Sequence, residues 1–147
     1  MKKYKLIYAF AFIATLFSCS SDDNSVTDTE KPTIVINAPT DEQELHVGEE
    51  IHTNISFSDN VELASYKIDI HFAGDGHAHR QMQDDFIEWS YETAGIISGK
   101  NDEIALDIMI PENVKEGHYH FGVYALDKAG NQTVQWIELD IHNHTHE

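Results

Sequence analysis

The chain has 147 residues, of which 26 are Asp or Glu and nine are Lys or Arg, so its formal net charge is −17. A surface this acidic repels nucleic acids and anionic headgroups and attracts cations, which excludes nucleic acid as a partner. The length corresponds to one domain, and a hydrophobic content of 41% is sufficient for a buried core.

The first 18 residues have the pattern of an export signal. A basic start over residues 2–5 precedes an apolar stretch over 6–17, which is too short to span a bilayer as a mature helix. The run Leu-Phe-Ser-Cys that ends at Cys19 resembles the lipobox of bacterial lipoproteins. The resemblance implies cleavage before Cys19, acylation of this residue and attachment to a membrane by lipid. Since Cys19 is the only cysteine, the predicted mature chain has no disulfide and must be held by packing.

Residues 20–31 are polar, acidic and without apolar periodicity, which predicts a flexible tether. The run from Cys19 to Asp23 also resembles the acidic export signal of surface lipoproteins in the Bacteroidetes. That resemblance implies a lipid-anchored protein of the outer membrane, facing the cell surface, with the periplasmic face as the alternative. The predicted organisation is a signal peptide over 1–18, the acylated cysteine and tether over 19–31, and one domain over 32–147 with a His-rich C-terminal tail.

From residue 32 onward, apolar and polar residues alternate, and turn residues separate the runs, which is typical of β-strands. No segment has a convincing helical period. The pattern therefore predicts an all-β protein, an Ig-like antiparallel β-sandwich of about seven strands. The predicted strands cover residues 33–37, 50–58, 65–72, 85–93, 103–110, 118–126 and 133–143.

The segment 117–131, GHYHFGVYALDKAGN, resembles the F strand and the following turn of bacterial Ig-like domains. By this resemblance Tyr119 is the corner tyrosine that marks the strand. The whole chain also resembles a family of small, His-containing Ig-like lipoproteins of Bacteroidetes. These resemblances imply the fold but no particular activity, because the fold has many unrelated functions.

The histidines are the strongest functional signal in the predicted domain. In an Ig-like sheet, strand C pairs antiparallel with F, and F with G, so the end of C, the start of F and the end of G meet at one edge. Strand parity directs His71, His118, His120, His142 and His144 to the outer face of that sheet. The predicted ligands are His71, His79, His118 and His120, with His77, His142 and His144 as alternates.

Neutral imidazole is a ligand suited to zinc and copper, whereas calcium and magnesium prefer oxygen. The pattern therefore predicts capture, delivery or sensing of zinc or copper, with an outer-membrane receptor as a possible partner. Asp69, Glu138 and Asp140 share the face and could add oxygen ligands or orient a ring. A titratable patch that binds metal only adventitiously and a cluster that senses pH are the alternatives.

The aromatic residues offer a different function. Trp89, Tyr91, Tyr124 and Trp136 could form a platform for a glycan or a protein partner, and packing under the inserted segment 73–100 explains them at least as well. Asp59-Asn60 and the run from Asp127 to Asn131 offer calcium ligands, but turn chemistry explains them better. No serine or carboxylate pair stands in a catalytic context, so the prediction is a protein that is not an enzyme.

Overall fold

The structure is a computed structural model that describes residues 27–74 and 86–143. These ranges form eight β-strands and contain no α-helix, so no helix long and apolar enough to cross a membrane is found in them. The strands are β1 (Thr33–Ala38), β2 (Gln43–His46), β3 (Glu50–Ser58), β4 (Leu63–Gly74), β5 (Ser90–Ile96), β6 (Asn101–Met109), β7 (Gly117–Asp127) and β8 (Gln132–His142).

The strands form two sheets that enclose one core. One sheet has the order β1-β3-β6, and the other has the order β2-β8-β7-β4-β5. Every adjacent pair is antiparallel except β2 and β8, which are parallel. The prediction of an all-β, Ig-like sandwich is therefore confirmed, with eight strands in the described ranges instead of about seven.

Alternation along the strands produces most of the core. The inward residues are even-numbered from Tyr66 to Phe72 in β4 and odd-numbered in β7, and Ile70 and Phe121, which lie opposite each other, are fully buried. Leu63 is also buried, beyond a shift in the register of β4. The three-stranded sheet contributes buried residues such as Ile55 and Ile108. Each such side chain contributes about 1.5–3 kcal/mol by leaving water, so packing alone can hold the two sheets together.

Two strands differ from the prediction. β2 was not predicted, because Leu45 is its only core residue and four residues are too few to display alternation. The strand predicted over 85–93 instead covers Ser90–Ile96. The pairing of β5 with β4 places Ser90 opposite His71 and Ile96 opposite Ser65. The position of β5 therefore depends on its main-chain pairing with β4, and the apolar residues before Ser90 lie outside the strand.

Tyr119 occupies the position expected of the corner tyrosine. Its ring is fully buried, and its hydroxyl donates a hydrogen bond of 2.6 Å to the main-chain carbonyl of Lys115. Burial raises the pKa of the Tyr119 hydroxyl to about 12. The hydroxyl therefore stays protonated and joins the start of β7 to the connection that precedes it.

We expect Tyr119→Phe to lower the free energy of unfolding by about 1–3 kcal/mol, because the carbonyl of Lys115 loses its donor. Urea denaturation measures this loss. Tyr124→Phe is the matched control, since Tyr124 lies on the outer face of the same strand, and we expect it to change stability by less than about 0.5 kcal/mol. Equal losses in the two variants would contradict the corner role of Tyr119.

Candidate metal centre on the outer face of the five-stranded sheet

Three neighbouring strands bring histidines together at one end of the five-stranded sheet. β4 pairs with β7 and β7 pairs with β8, as the predicted C–F–G order requires. In this register His71 lies directly opposite His120, and His118 lies opposite Asp140. The outer face at this end therefore consists of imidazoles and carboxylates, while the inner face of the same strands is apolar.

His71 and His120 form the closest imidazole pair within the described ranges. Nε2 of His71 lies 3.3 Å from Nδ1 of His120, and the two rings meet edge to face with centroids 5.2 Å apart. Two nitrogens bound to a tetrahedral zinc ion at about 2.0–2.1 Å are separated by about 3.3–3.4 Å. The observed separation matches that value, and it is also that of a hydrogen bond between the two rings, so an ion bound by both nitrogens would take the place of the shared proton.

Asp69 contacts the other nitrogen of the His71 ring. Its Oδ1 accepts a hydrogen bond of 2.6 Å from Nδ1 of His71, and its Oδ2 lies 3.3 Å from Nζ of Lys67. Partial burial alone would raise the pKa of Asp69, but the hydrogen bonds from His71 and Lys67 outweigh burial and lower it. An ionised Asp69 holds the proton of His71 on Nδ1 and leaves the Nε2 lone pair directed at His120.

Other histidines on this face are each paired with a carboxylate. Nδ1 of His118 lies 3.0 Å from Oε1 of Glu138, and Nε2 of His142 lies 3.5 Å from Oδ2 of Asp140. In each of these two rings, one nitrogen contacts the carboxylate and the other nitrogen does not. This arrangement is the one that commonly orients metal-binding imidazoles.

His46 also belongs to this end of the sheet, although it is not among the ligands predicted from the sequence. β2 runs beside β8 with His46 opposite His142, and the two ring centroids are 6.0 Å apart. Sequence reasoning missed this neighbour because β2 itself was not predicted. The only available signal was the single buried residue Leu45 at the preceding position.

The described residues supply two imidazole nitrogens at the His71–His120 pair, and no third ligand within the spacing of a compact site. Two groups of three potential ligands with ligand atoms within 4.8 Å of one another occur elsewhere in the described ranges. They are Glu50, His52 and Asp107, and Asp28, Asp59 and Asp127. The predicted ligands His77, His79 and His144, and the predicted acylation site Cys19, lie outside the described residues.

The Glu50–His52–Asp107 group lies on the three-stranded sheet and is exposed to solvent. Nδ1 of His52 lies 2.7 Å from Oδ1 of Asp107. The hydrogen bond and the charge of Asp107 raise the pKa of His52. His52 lies on the other sheet, away from the His71–His120 pair, so it is a useful control residue for that pair.

Trp136 packs beside the imidazole pair. Its ring centroid lies 5.6 Å from that of His71 and 6.0 Å from that of His120. Gly122 lies beneath the indole of Trp136. A side chain at position 122 would collide with the indole, because a Cβ there would lie only 2.2 Å from the Cζ3 atom of Trp136. The ring of Tyr124 adjoins the indole at 5.7 Å, and 39% of Trp136 stays exposed.

The predicted aromatic platform is therefore only partly assembled. Tyr124 and Trp136 lie together on the outer face, but Trp89 is only 8% exposed and packs against Tyr119 in the core. Tyr91 packs against the same core. The inward direction of Trp89 follows from its position just before β5, where the chain crosses the end of the core.

Solved structures with this architecture have low sequence identity to the chain. The fibronectin(III)-like modules of Clostridium thermocellum CbhA match 77% of this chain and 99% of theirs, with 10% identity and a TM-score of 0.46. OgpA from Akkermansia muciniphila matches 77% of this chain and 30% of its own, with 10% identity and a TM-score of 0.51. A DUF4466 family protein from Parabacteroides merdae matches 73% of this chain and 42% of its own, with 11% identity and a TM-score of 0.48. The chain thus spans less than half of the last two proteins, and the likeness concerns the fold alone.

No curated protein matches the sequence significantly. A family model described as a domain of unknown function, DUF4625, matches residues 17–142. The matched range contains all eight strands of the sandwich as well as His71 and His120. The chain therefore belongs to the DUF4625 family.

Proposed function

We propose that this protein is a lipid-anchored, non-enzymatic module that binds a transition-metal ion, zinc or copper, with His71 and His120 as ligands. The observation that carries the proposal is the 3.3 Å separation between Nε2 of His71 and Nδ1 of His120. Main-chain register places the two residues opposite each other, and Asp69 orients one of the rings. A pair built from adjacent strands is more rigid than histidines on a tail, which favours a defined site.

Two imidazoles leave further coordination positions for water or for other side chains. His77 and His79 are the first candidates, because they follow the end of β4 in the sequence. His118 and His142 lie on the same face and are next in order. The formal net charge of −17 favours the approach of any divalent cation.

Acylation of Cys19 would hold this module at the outer membrane, and the acidic residues after it suggest the cell surface. A metal site carried at that position suits capture of a scarce ion, its delivery to an outer-membrane receptor, or sensing. The acylation, the membrane and the receptor are parts of this proposal that rest on the sequence alone.

Isothermal titration of the full-length chain in detergent, freed of metal and held at pH 7.4, tests the site with Zn(II) and Cu(II). We expect one dominant site of submicromolar affinity, weakened more than about a hundredfold in His71→Ala/His120→Ala, since both protein ligands are removed. His52→Ala removes an exposed histidine from the other sheet and should leave the affinity unchanged.

Weak binding at several sites that persists in the double variant would contradict the proposal and would indicate an adventitious surface patch. A separate His77→Ala/His79→Ala variant measures how much these two residues add. Retention of the dominant site in that variant assigns the remaining coordination to water, His118 or His142. Loss of the dominant site assigns the remaining ligands to His77 and His79.

A second candidate function is the binding of a glycan or protein on the outer face, and the exposed indole of Trp136 favours it. Gly122 lets the indole lie close to the sheet, beside Tyr124, so that an apolar ring surface faces solvent. Binding that disappears in Trp136→Ala and persists in His71→Ala would support this function over metal capture. A glycan array probed with both variants makes the comparison.

A further inference from the structure

The end of the sandwich opposite the histidines carries three carboxylates from three different segments. Asp28 precedes β1, Asp59 follows β3, and Asp127 ends β7. Their ligand oxygens all lie within 4.8 Å of one another. β4 and β7 run the length of the sheet, with Asp127 opposite Leu63 at this end and His118 opposite Gly74 at the other. The group is therefore separate from the imidazole pair.

Turn chemistry accounts for part of this arrangement, as the sequence predicted. Oδ2 of Asp59 accepts hydrogen bonds from the main-chain nitrogens of Val61 and Glu62, at 2.8 Å and 2.7 Å. Both carboxylate oxygens of Asp127 accept from Asn131, one from its main-chain nitrogen and one from its side-chain amide, each at 2.7 Å. These bonds explain why Asp occurs in the two turns, but they do not explain the second oxygen of Asp59.

Oδ1 of Asp59 is buried and has no hydrogen-bond partner among the described residues. A buried carboxylate oxygen without a partner is energetically unfavourable. The side chain of Asp127 beside it is only 2% exposed. The lysine ion pairs in the described ranges all involve other carboxylates. A cation bound among the three carboxylates would contact the unpartnered oxygen and offset their charge.

Asp127 is almost completely enclosed by protein, and the hydrogen bonds that its carboxylate accepts from Asn131 hold it in place. The enclosed carboxylate lies beside those of Asp28 and Asp59.

Asp28 is part of the segment predicted as a flexible tether, yet the loops hold it in place. Its Oδ1 accepts a hydrogen bond of 3.1 Å from the amide of Asn60, and its main-chain carbonyl accepts one of 3.2 Å from the amide of Asn131. Asn60 follows Asp59 directly, and Asn131 completes the turn that begins at Asp127. Both turns that contain a carboxylate of the group therefore also contact Asp28. The last part of the predicted tether is bound to the domain by the same turns that supply the other two carboxylates.

We propose that Asp28, Asp59 and Asp127 bind a calcium ion that fastens the segment leading from Cys19 to the loops after β3 and β7. Calcium binds six to eight oxygens at about 2.3–2.6 Å, which three carboxylates and water can provide. The site has no nitrogen or sulfur donor and so does not suit a transition metal. The ion would fix the orientation of the domain relative to its predicted lipid anchor.

The test uses the full-length chain in detergent, treated with a chelator and titrated with CaCl2 by calorimetry, with thermal unfolding followed in parallel. We expect one calcium site and a rise of about 5 °C or more in Tm at saturating calcium. Asp59→Asn should weaken binding at least about tenfold, while its amide oxygen can still accept from Val61 and Glu62. Glu30→Gln is the matched control, because it removes one exposed charge close to Asp28.

Asp28→Asn is the second variant, and it stays informative if Asp59→Asn does not fold, because Asp28 precedes the first strand. We expect the same loss of calcium response in it. Equal calcium affinity in Asp28→Asn, Asp59→Asn and Glu30→Gln would overturn the proposal, as would the absence of any effect at millimolar calcium. A Tm that rises on acidification to pH 5 and ignores calcium would also overturn it, since a shared proton would then replace the ion. His71→Ala/His120→Ala should keep the full calcium response, which separates this site from the proposed transition-metal site.

Discussion

Gly122→Ala should lower the free energy of unfolding by about 1–3 kcal/mol and displace the Trp136 indole from the outer face. A Cβ at position 122 would lie 2.2 Å from Cζ3, 2.5 Å from Cη2 and 2.6 Å from Cε3 of Trp136. Real Cβ atoms do not approach ring carbons this closely, so either the indole or β7 must move. Urea denaturation measures the loss of stability.

A double-mutant cycle with Trp136→Ala isolates the cause of this loss. If the clash with the indole is responsible, Gly122→Ala should cost little or nothing in the Trp136→Ala background. An undiminished cost in that background would contradict the assigned contact. Because the indole also packs against His71 and His120, Gly122→Ala should in addition weaken zinc binding in the titration described above.

Zinc affinity should fall by about tenfold or more between pH 7.4 and pH 5.4. Both ligating imidazoles must be neutral, so protons compete with zinc for the two nitrogens as the pH falls. Lower pH adds protons to the free protein only, so it opposes binding. The lowered pKa of Asp69 means that this carboxylate stays ionised over the whole interval and continues to contact His71.

Titrations with Zn(II) in non-chelating buffers at several pH values measure this dependence. Calcium binding by Asp28, Asp59 and Asp127 is an internal control, since a free carboxyl group has a pKa of about 4 and should change calcium affinity little over the same interval. Zinc affinity that is retained at pH 5.4 would indicate carboxylate ligands and would contradict a site formed by His71 and His120.

The fold could be predicted from alternation because every long strand carries it clearly. In β4, residues such as Ile68 and Ile70 face the core while Asp69 and His71 face outward, and a shift by one residue would bury the charges. The order of pairing then follows from the Ig-like class. β2 could not be predicted, because one buried residue in four gives no period, and the start of β5 depends on register with β4 instead of on its own apolar residues.

The candidate sites were predictable to different degrees. Strand parity was sufficient to place His71 and His120 on one face, but the contact between their nitrogens depends on side-chain rotamers that the sequence does not specify. Asp28 was not predicted as a ligand, because it is far from Asp59 and Asp127 in the sequence and lies in a polar segment without periodicity. Its position depends on amide contacts with the two turns, which appear only in three dimensions.

X-ray absorption at the zinc K-edge, on the full-length chain loaded with one equivalent of Zn(II), is the most direct test of the transition-metal site. The account predicts at least two imidazole ligands, with nitrogen at about 2.0–2.1 Å and the outer-ring scattering typical of histidine, reduced in His71→Ala/His120→Ala. A first shell of oxygen alone, or a spectrum that the double substitution does not change, would contradict it.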